Sequence, residues 1–260
     1  MFLFSPITQY KMFAELITRL LKKTTYFNNW QTAETQCDSY DSDRILATFT
    51  DAAIAVQQGD GMFERDGKIY KHYSENFQLV AALKHVSQTE GQFKVLDLGG
   101  AFGNVYRQNR WFLPDSNDLI WCVVEKERFV ETGKRLFENN KLKFETTIPE
   151  AIDRYHPNIA IVSNALQRME HPFDVLLELA QSDIPYLFID RTPVVSSGEN
   201  RITRSILPAV SDNAYYPSWV FSESNFKEKL QQHYRIINEF DMTANPTDDN
   251  RRLGFFCAKI

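Results

Sequence analysis

From Phe93 to Asp190 the chain alternates short, almost continuously apolar segments with stretches of helical spacing. Lys94–Leu98 (KVLDL), Leu119–Val124 (LIWCVV), Ile159–Ser163 (IAIVS) and Tyr186–Asp190 (YLFID) are too short for buried helices and offer apolar side chains to both faces of a sheet. Strands of that kind are parallel and covered on both sides. Lys143–Thr146 reads as a further strand. Between the strands, Phe129, Val130, Gly133, Leu136 and Phe137 recur at helical spacing, and Pro172 sits at the first turn of a segment with Val175, Leu176 and Leu179. Regular alternation of this type gives an α/β fold with a doubly wound parallel sheet.

The flanks read differently. Residues 1–90 are expected to form an N-terminal helical cap on a main domain at 91–260. Asp41, Ser42 and Asp43 precede an apolar stripe of Ile45, Leu46, Phe49, Ala53 and Val56, with Gly59 and Gly61 after it. Asp38, Asp41 and Asp43 lack the glycine and distal glutamate of a calcium loop, so they read as a helix cap. Another helix is expected to begin near Ser74. Phe13, Leu16, Ile17, Leu20 and Leu21 share a helical face beside Arg19, Lys22 and Lys23. Residues 13–23 are therefore expected to pack on the protein or on a second subunit, with a peripheral membrane contact as the alternative. Residues 192–221 carry three prolines and no helical signal, and are expected to be an insertion serving as a lid or acceptor wall. A helix from Ser222 and two strands, Tyr234–Phe240 and Arg252–Ile260, close the chain.

Composition narrows the function classes. With 43% apolar residues and a net charge of −5 in 260 residues, the chain is not disordered. Its 29 basic residues against 34 acidic ones argue against a phosphate-coating surface, so no nucleic-acid partner is expected. Cys37, Cys122 and Cys257 show no metal-binding or disulfide spacing, and the latter two sit in apolar runs. A reducing, cytoplasmic location is expected. Gln9, Lys11, Glu15 and Arg19 interrupt the first apolar stretch, so no signal peptide is expected. His72, His85, His156, His171 and His233 lack ligand spacing, so no metal site is expected.

The strongest local signal is Val95-Leu96-Asp97-Leu98-Gly99-Gly100-Ala101-Phe102-Gly103. An apolar strand meets an acid and then a glycine-rich turn, the place where open α/β sheets bind ligands. The G-x-G-x-x-G spacing of dinucleotide sites fails in both registers, and no P-loop lysine follows. An NAD-dependent sugar oxidoreductase is disfavoured on that ground. The pattern acid-x-Gly-x-x-x-Gly, with Asp97, Gly99 and Gly103, would repel a pyrophosphate and suits a cationic ligand bearing an ammonium and a sulfonium. Glu125 ends the next strand, where a carboxylate can accept from both ribose hydroxyls of an adenosine. S-adenosylmethionine is the cofactor these features fit, held by Asp97, Gly99, Gly100, Ala101, Gly103 and Glu125, with Asn164 after the fourth strand lining its methionine part.

These residues lie in LDLGGAFGNVYRQNR (96–110), WCVVEKERFVETGKRLF (121–137) and SNALQRMEHPFDVLLEL (163–179), followed by PYLFIDRTPV (185–194), NRIT (200–203) and YYPSWVFSESNF (215–226). The blocks resemble class I S-adenosylmethionine-dependent methyltransferases, and more narrowly a methyltransferase family found with bacterial surface-polysaccharide (O-antigen or capsule) gene clusters. The resemblance implies a Rossmann-like sheet of seven strands with the last one antiparallel, and O-methylation of a sugar or polysaccharide precursor. Ala101 departs from the middle glycine of many members, and Gln167-Arg168 stand where many carry a histidine. A non-catalytic module that binds the cofactor or its product is the alternative.

Loss of a hydroxyl proton during methyl transfer is helped by a base. Asp190, at the end of its strand, and His72, ahead of the helix near Ser74, are the candidates. His171, beside Pro172, reads as structural. Arg191, Tyr215, Tyr216 and Trp219 are candidate acceptor-binding residues, because aromatic faces stack on sugar rings and guanidinium groups pair with anions. Arg201 and Arg204 lie nearby in sequence.

Overall fold

The computed structural model describes residues 25–40, 42–72, 74, 76–113, 119–210, 214–243 and 251–260. The expected helix at 13–23 and the polar turn at 245–250 lie outside these residues. The described residues begin with β1 (Tyr26–Phe27), the short helix α1 (Trp30–Glu34) and α2 (Asp43–Gln58). The hairpin β2 (Phe63–Arg65) and β3 (Lys68–Tyr70) follows, and then α3 (Phe77–Glu90). The expected N-terminal helices are present, accompanied by a strand and a hairpin. Gly59 ends α2 at φ 97° in the C-cap position its sequence predicts. Ser42 holds the N-cap position without a side-chain cap bond. The next helix begins later than Ser74. Its cap is Asn76, whose side chain accepts from the Leu79 N–H at 3.2 Å.

The α/β alternation runs through β4 (Phe93–Leu98), α4 (Asn104–Asn109), β5 (Leu119–Val124), α5 (Glu127–Leu136) and β6 (Leu142–Glu145). It continues with α6 (Ile148–Tyr155), β7 (Ile159–Ser163), α7 (Pro172–Gln181) and β8 (Tyr186–Val195). The chain ends with β9 (Arg201–Leu207), β10 (Ala214–Ser222), α8 (Glu223–Gln231), β11 (Tyr234–Asp241) and β12 (Arg251–Lys259). Seven of these strands form the order β6-β5-β4-β7-β8-β12-β11. The pairs β4–β5, β5–β6, β4–β7 and β7–β8 are parallel, and β12 is antiparallel to both neighbours. The doubly wound sheet with a reversed last strand is thus present.

Residues on either side of each strand enter different cores, as a sheet covered on both faces requires. Val95, Trp121, Phe144 and Phe188 pack with Phe49 of α2, Leu79 and Leu83 of α3 and Phe129 of α5. Leu96, Cys122, Val162 and Leu187 pack with Ala151 of α6, Leu179 of α7 and Phe226 of α8. Cys122 and Cys257 are buried free thiols. The helices of residues 45–86 therefore share one core with the sheet.

Residues 192–221, expected as a lid or acceptor wall, are largely strand. They are the end of β8 plus a β9–β10 antiparallel hairpin, with β1 added to the edge of β9. β8 stays beside β7 as far as the Ser163–Asp190 pair and then takes up β10 at Val194 and Val195. The sheet forks there. Pro193 and Pro217 sit inside these strands, opposite Arg252 and Arg204. A proline removes a ladder donor, which is why the segment does not read as strand from sequence alone. Among the described residues no helix is long and apolar enough to cross a membrane.

Candidate functional site

The turn after β4 is shaped by close contacts. Gly99 has φ 72° and donates its N–H to the Val124 carbonyl at 2.9 Å, tying the turn to the tip of β5. A Cβ there would lie 2.6 Å from the Ala165 Cβ, so only glycine lets the loop after β7 come this near. A Cβ on Gly100 would lie 2.5 Å from the Asp97 Oδ2. Ala101 holds φ 48°, a left-handed conformation that strains a residue with a side chain. Gly103 opens α4.

Asp97 is fully buried under this turn. Its Oδ2 accepts from the Trp121 indole N–H at 2.8 Å, and its Oδ1 has no partner among the described residues. Burial pushes its pKa up to about 7; the Trp121 bond opposes the rise, and the nearby Asp190 and Glu125 charges add to it. The acid read from sequence as a direct ligand contact is therefore a support beneath the turn, outside the cavity lining.

Above the strand tips lies a cavity of about 680 Å³. Leu98, Gly99, Glu125, Thr146 and Asn164 line it on the side of the strand tips. Trp30, Glu34, Asp38 and Tyr40, from α1 and the loop that follows it, also line it, together with Arg168 and Tyr216. Glu125 is half-buried, and its Oε2 accepts the Lys126 N–H at 2.9 Å. Burial raises its pKa, while the Lys126 and Ala101 N–H groups hold it down. Asn164 takes φ 55°, and its backbone N–H bonds the Asp190 carbonyl at 3.1 Å. Its side chain is held by Gln167, which donates to Oδ1 at 2.7 Å, and its Nδ2 reaches Asp66 at 3.4 Å. Of the sequence-predicted cofactor residues, Gly99, Glu125 and Asn164 line the cavity, and Asp97, Gly100, Ala101 and Gly103 build the turn under it.

The two candidate bases are placed elsewhere. Asp190 is buried, with both carboxylate oxygens occupied: Ser163 Oγ donates to Oδ1 at 2.5 Å and Asn76 Nδ2 to Oδ2 at 2.7 Å. It fastens the start of α3 to the sheet and does not line the cavity. The period of two along β8 puts Asp190 on the face of Phe188, against α3. His72 is exposed and also outside the cavity lining. Arg191, at φ 56°, pairs with Asp190 at 3.4 Å and donates to Ser163, so it serves this buried cluster and not an acceptor. Tyr215 is also outside the lining; its N–H bonds Asp38 at 2.8 Å and its ring lies under Arg204. Trp219 belongs to a neighbouring surface groove with Tyr26 and Arg201, and stacks on Trp30 at 6.1 Å. Tyr216, with Pro217, is the residue of the predicted acceptor set that reaches the cavity.

Sequence reading missed Arg168. It follows the short turn after β7, lines the cavity, and pairs with Asp66 at 2.8 Å. Its guanidinium lies over the rings of Tyr216 (4.6 Å) and Tyr40 (5.6 Å). Burial works against this charge, but Asp66 and the two tyrosines outweigh it and hold Arg168 protonated. Asp66 stands at the Asp66-Gly67 tip of the β2–β3 hairpin, where both residues have positive φ. An Asp-Gly pair between apolar strands was the available signal for that hairpin. Nothing in the sequence links it to Arg168.

The arrangement offers a glycine-shaped approach and a carboxylate at adjacent strand tips, facing an aromatic wall with one fixed cation. Among the described residues no group of histidines, cysteines or acids could hold a metal ion. No protein-family model matches the sequence, and no curated protein matches it significantly. The [4+2]-cyclase SpnF is similar in structure, with TM-score 0.51 and 12% identity over 91% of this chain and 98% of its own. The N-terminal domain of EvdMO1, solved in the presence of SAH and D-fucose, gives TM-score 0.49 and 12% identity over 86% of this chain and 100% of its own. The Burkholderia thailandensis 1,6-didemethyltoxoflavin-N1-methyltransferase, solved with bound 1,6-didemethyltoxoflavin and S-adenosylhomocysteine, gives 0.43 and 15% over 82% of this chain and 88% of its own. At such identities the likeness is one of architecture: the chain has a Rossmann-like α/β fold.

Proposed function

We propose that the protein is an S-adenosylmethionine-dependent methyltransferase acting on a hydroxyl of a sugar or polysaccharide precursor. The observation that carries this reading is the convergence of Gly99, Glu125 and Asn164 at neighbouring strand tips in one cavity. The fit rests on the turn itself: Gly99 has no room for a Cβ, and Glu125 is held at the tip of β5 by backbone N–H groups. Gly99 and Asn164 would hold the amino-acid end of the cofactor and Glu125 its ribose hydroxyls. When bound, the cofactor supplies an electrophilic methyl group on a sulfonium. The carboxylates of Glu34 and Glu125 in the lining favour such a cation.

The remaining work of this chain is to bind, orient and exclude water. Asp38 is committed to Arg44 and to the Tyr215 N–H. Glu34 uses only Oε1, which accepts from the Trp30 indole at 3.1 Å. Its second oxygen has no hydrogen bond among the described residues and is open to a hydroxyl in the cavity. The polysaccharide assignment rests on the sequence resemblance. The free cysteines fit a reducing compartment, and a cytoplasmic site is part of this proposal.

The displacement of Asp190 and His72 from the cavity favours a second reading, a module that binds the cofactor or its product without turnover. The fold alone does not decide, since one fold hosts many chemistries. Titration calorimetry with S-adenosylmethionine, S-adenosylhomocysteine and NAD tests the cofactor. Transfer of labelled methyl groups to a panel of glycosides and saccharide precursors separates enzyme from module. Tight NAD binding without S-adenosylhomocysteine binding would remove the proposal.

A further inference from the structure

Beside Tyr40 and Tyr216 the cavity contains a partly buried cation whose charge is already matched. Arg168 is anchored by Asp66 at 2.8 Å, approaches the Tyr40 hydroxyl at 3.4 Å through Nη1, and lies over the Tyr40 and Tyr216 rings. A guanidinium carries five N–H donors, so N–H groups remain on its Nη atoms beyond those two contacts. The rest of the lining is acidic and aromatic. Glu34, Asp38 and Glu125 face the cavity against Lys126, and Trp30 adds a further ring.

This combination discriminates by charge. An anionic acceptor, such as a sugar phosphate or a uronate, would meet the Glu34 carboxylate, unpaired among the described residues, and a cation whose field Asp66 cancels. A neutral polyol would meet aromatic faces for its C–H surfaces and charge-assisted N–H donors for its oxygens. From this geometry we infer that Arg168 is the acceptor-recognising residue for an uncharged sugar ring, and that Asp66 is its positioning residue, orienting the guanidinium and setting the site's preference for neutral over anionic rings. The inference rests on the methyltransferase reading and adds to it a charge class and the two residues that impose it. Sequence distance hides the pair, since Asp66 and Arg168 are 102 positions apart.

The test uses the full chain saturated with S-adenosylhomocysteine and reads probe binding by saturation-transfer NMR. The probes are methyl β-D-galactopyranoside, methyl α-D-mannopyranoside, D-glucuronate and mannose 6-phosphate. The wild type should bind a neutral glycoside and neither charged probe. Arg168→Gln should weaken the neutral glycoside about tenfold or more, the effect of losing a hydrogen bond to a charged group, with unchanged S-adenosylhomocysteine affinity. Arg168→Lys keeps the charge, loses the planar fork, and should show the same loss if the fork is what reads the ring. Asp66→Asn leaves the cation unmatched and should raise D-glucuronate binding about tenfold. A merely structural Asp66 would not produce that gain.

Failure of S-adenosylhomocysteine to bind the wild type would overturn the methyltransferase reading itself. Normal S-adenosylhomocysteine binding combined with preference for a charged probe, with no bound glycoside, or with an Asp66→Asn panel identical to wild type would overturn this inference alone.

Discussion

Asp97 gives the site a pH signature that can be worked out in advance. In the unfolded chain its pKa is near 3.8, and in the folded protein burial raises it to about 7. Between those values the native state binds a proton that the unfolded state has lost, so folding stability falls as pH rises through that window. About three pKa units correspond to about 4 kcal/mol, fully lost above the folded pKa and fully retained below the unfolded one. Asp97→Asn keeps the shape and leaves an oxygen for the Trp121 indole, but it carries no charge to bury. Urea unfolding at half-unit steps from pH 4 to pH 8 should therefore show the variant gaining on wild type as pH rises, by up to about 4 kcal/mol. Glu64 is buried and also raised to about 7, so a slope of the same sign should remain in the variant and diminish on adding Glu64→Gln. Parallel stability curves for wild type and Asp97→Asn across this range would refute the placement of a charged carboxylate under the turn.

The other predictions concern contacts around the cavity. Gly99→Ala adds a left-handed alanine and a 2.6 Å clash with Ala165, and should cost about 2–5 kcal/mol in urea unfolding. Adding Ala165→Gly should recover the clash portion, and no recovery would show that the close approach is not the cause. Glu125→Gln should weaken S-adenosylhomocysteine by about 10- to 100-fold in calorimetry, the worth of charge-assisted hydrogen bonds, while melting temperature holds. Trp121→Phe removes the N–H that holds Asp97 Oδ2, and should cost about 1–3 kcal/mol and move the pH-dependent loss of stability to higher pH. Asp190→Asn and His72→Ala should leave the methyl-transfer rate at saturating acceptor within a few-fold of wild type; a thousand-fold loss in either would restore that residue as the base.

Sequence was informative where the signal was local. Four apolar runs announced β4, β5, β7 and β8 because a strand covered on both faces needs apolar residues at every position. The turn at Gly99 and the carboxylate at Glu125 were legible because strand tips in such sheets are where ligands bind. Asp190 was read as the end of a strand, but β8 runs on to Val195, and position along a strand does not reveal what packs on its face. Asn76, far away in sequence, claims one of its oxygens. The β9–β10 hairpin was hidden by its prolines. The aromatic side of the cavity was hidden for a different reason. Trp30, Tyr40, Arg168 and Tyr216 come from separate stretches of chain, and only the tertiary fold brings them to one cavity.

That fork has a mechanical consequence. β10 is joined to β8 at Val194 and Val195 alone, whereas β7 and β12 grip β8 along most of its length. The strand pair bearing Tyr216 thus keeps its place through side chains more than through a ladder: Leu207, Ala214 and Tyr216 enter the core shared with the sheet, and the Trp219 indole bonds the Met169 carbonyl at 3.1 Å. Substitutions in that packing would reshape one wall of the cavity and leave the parallel strand tips that form the other untouched.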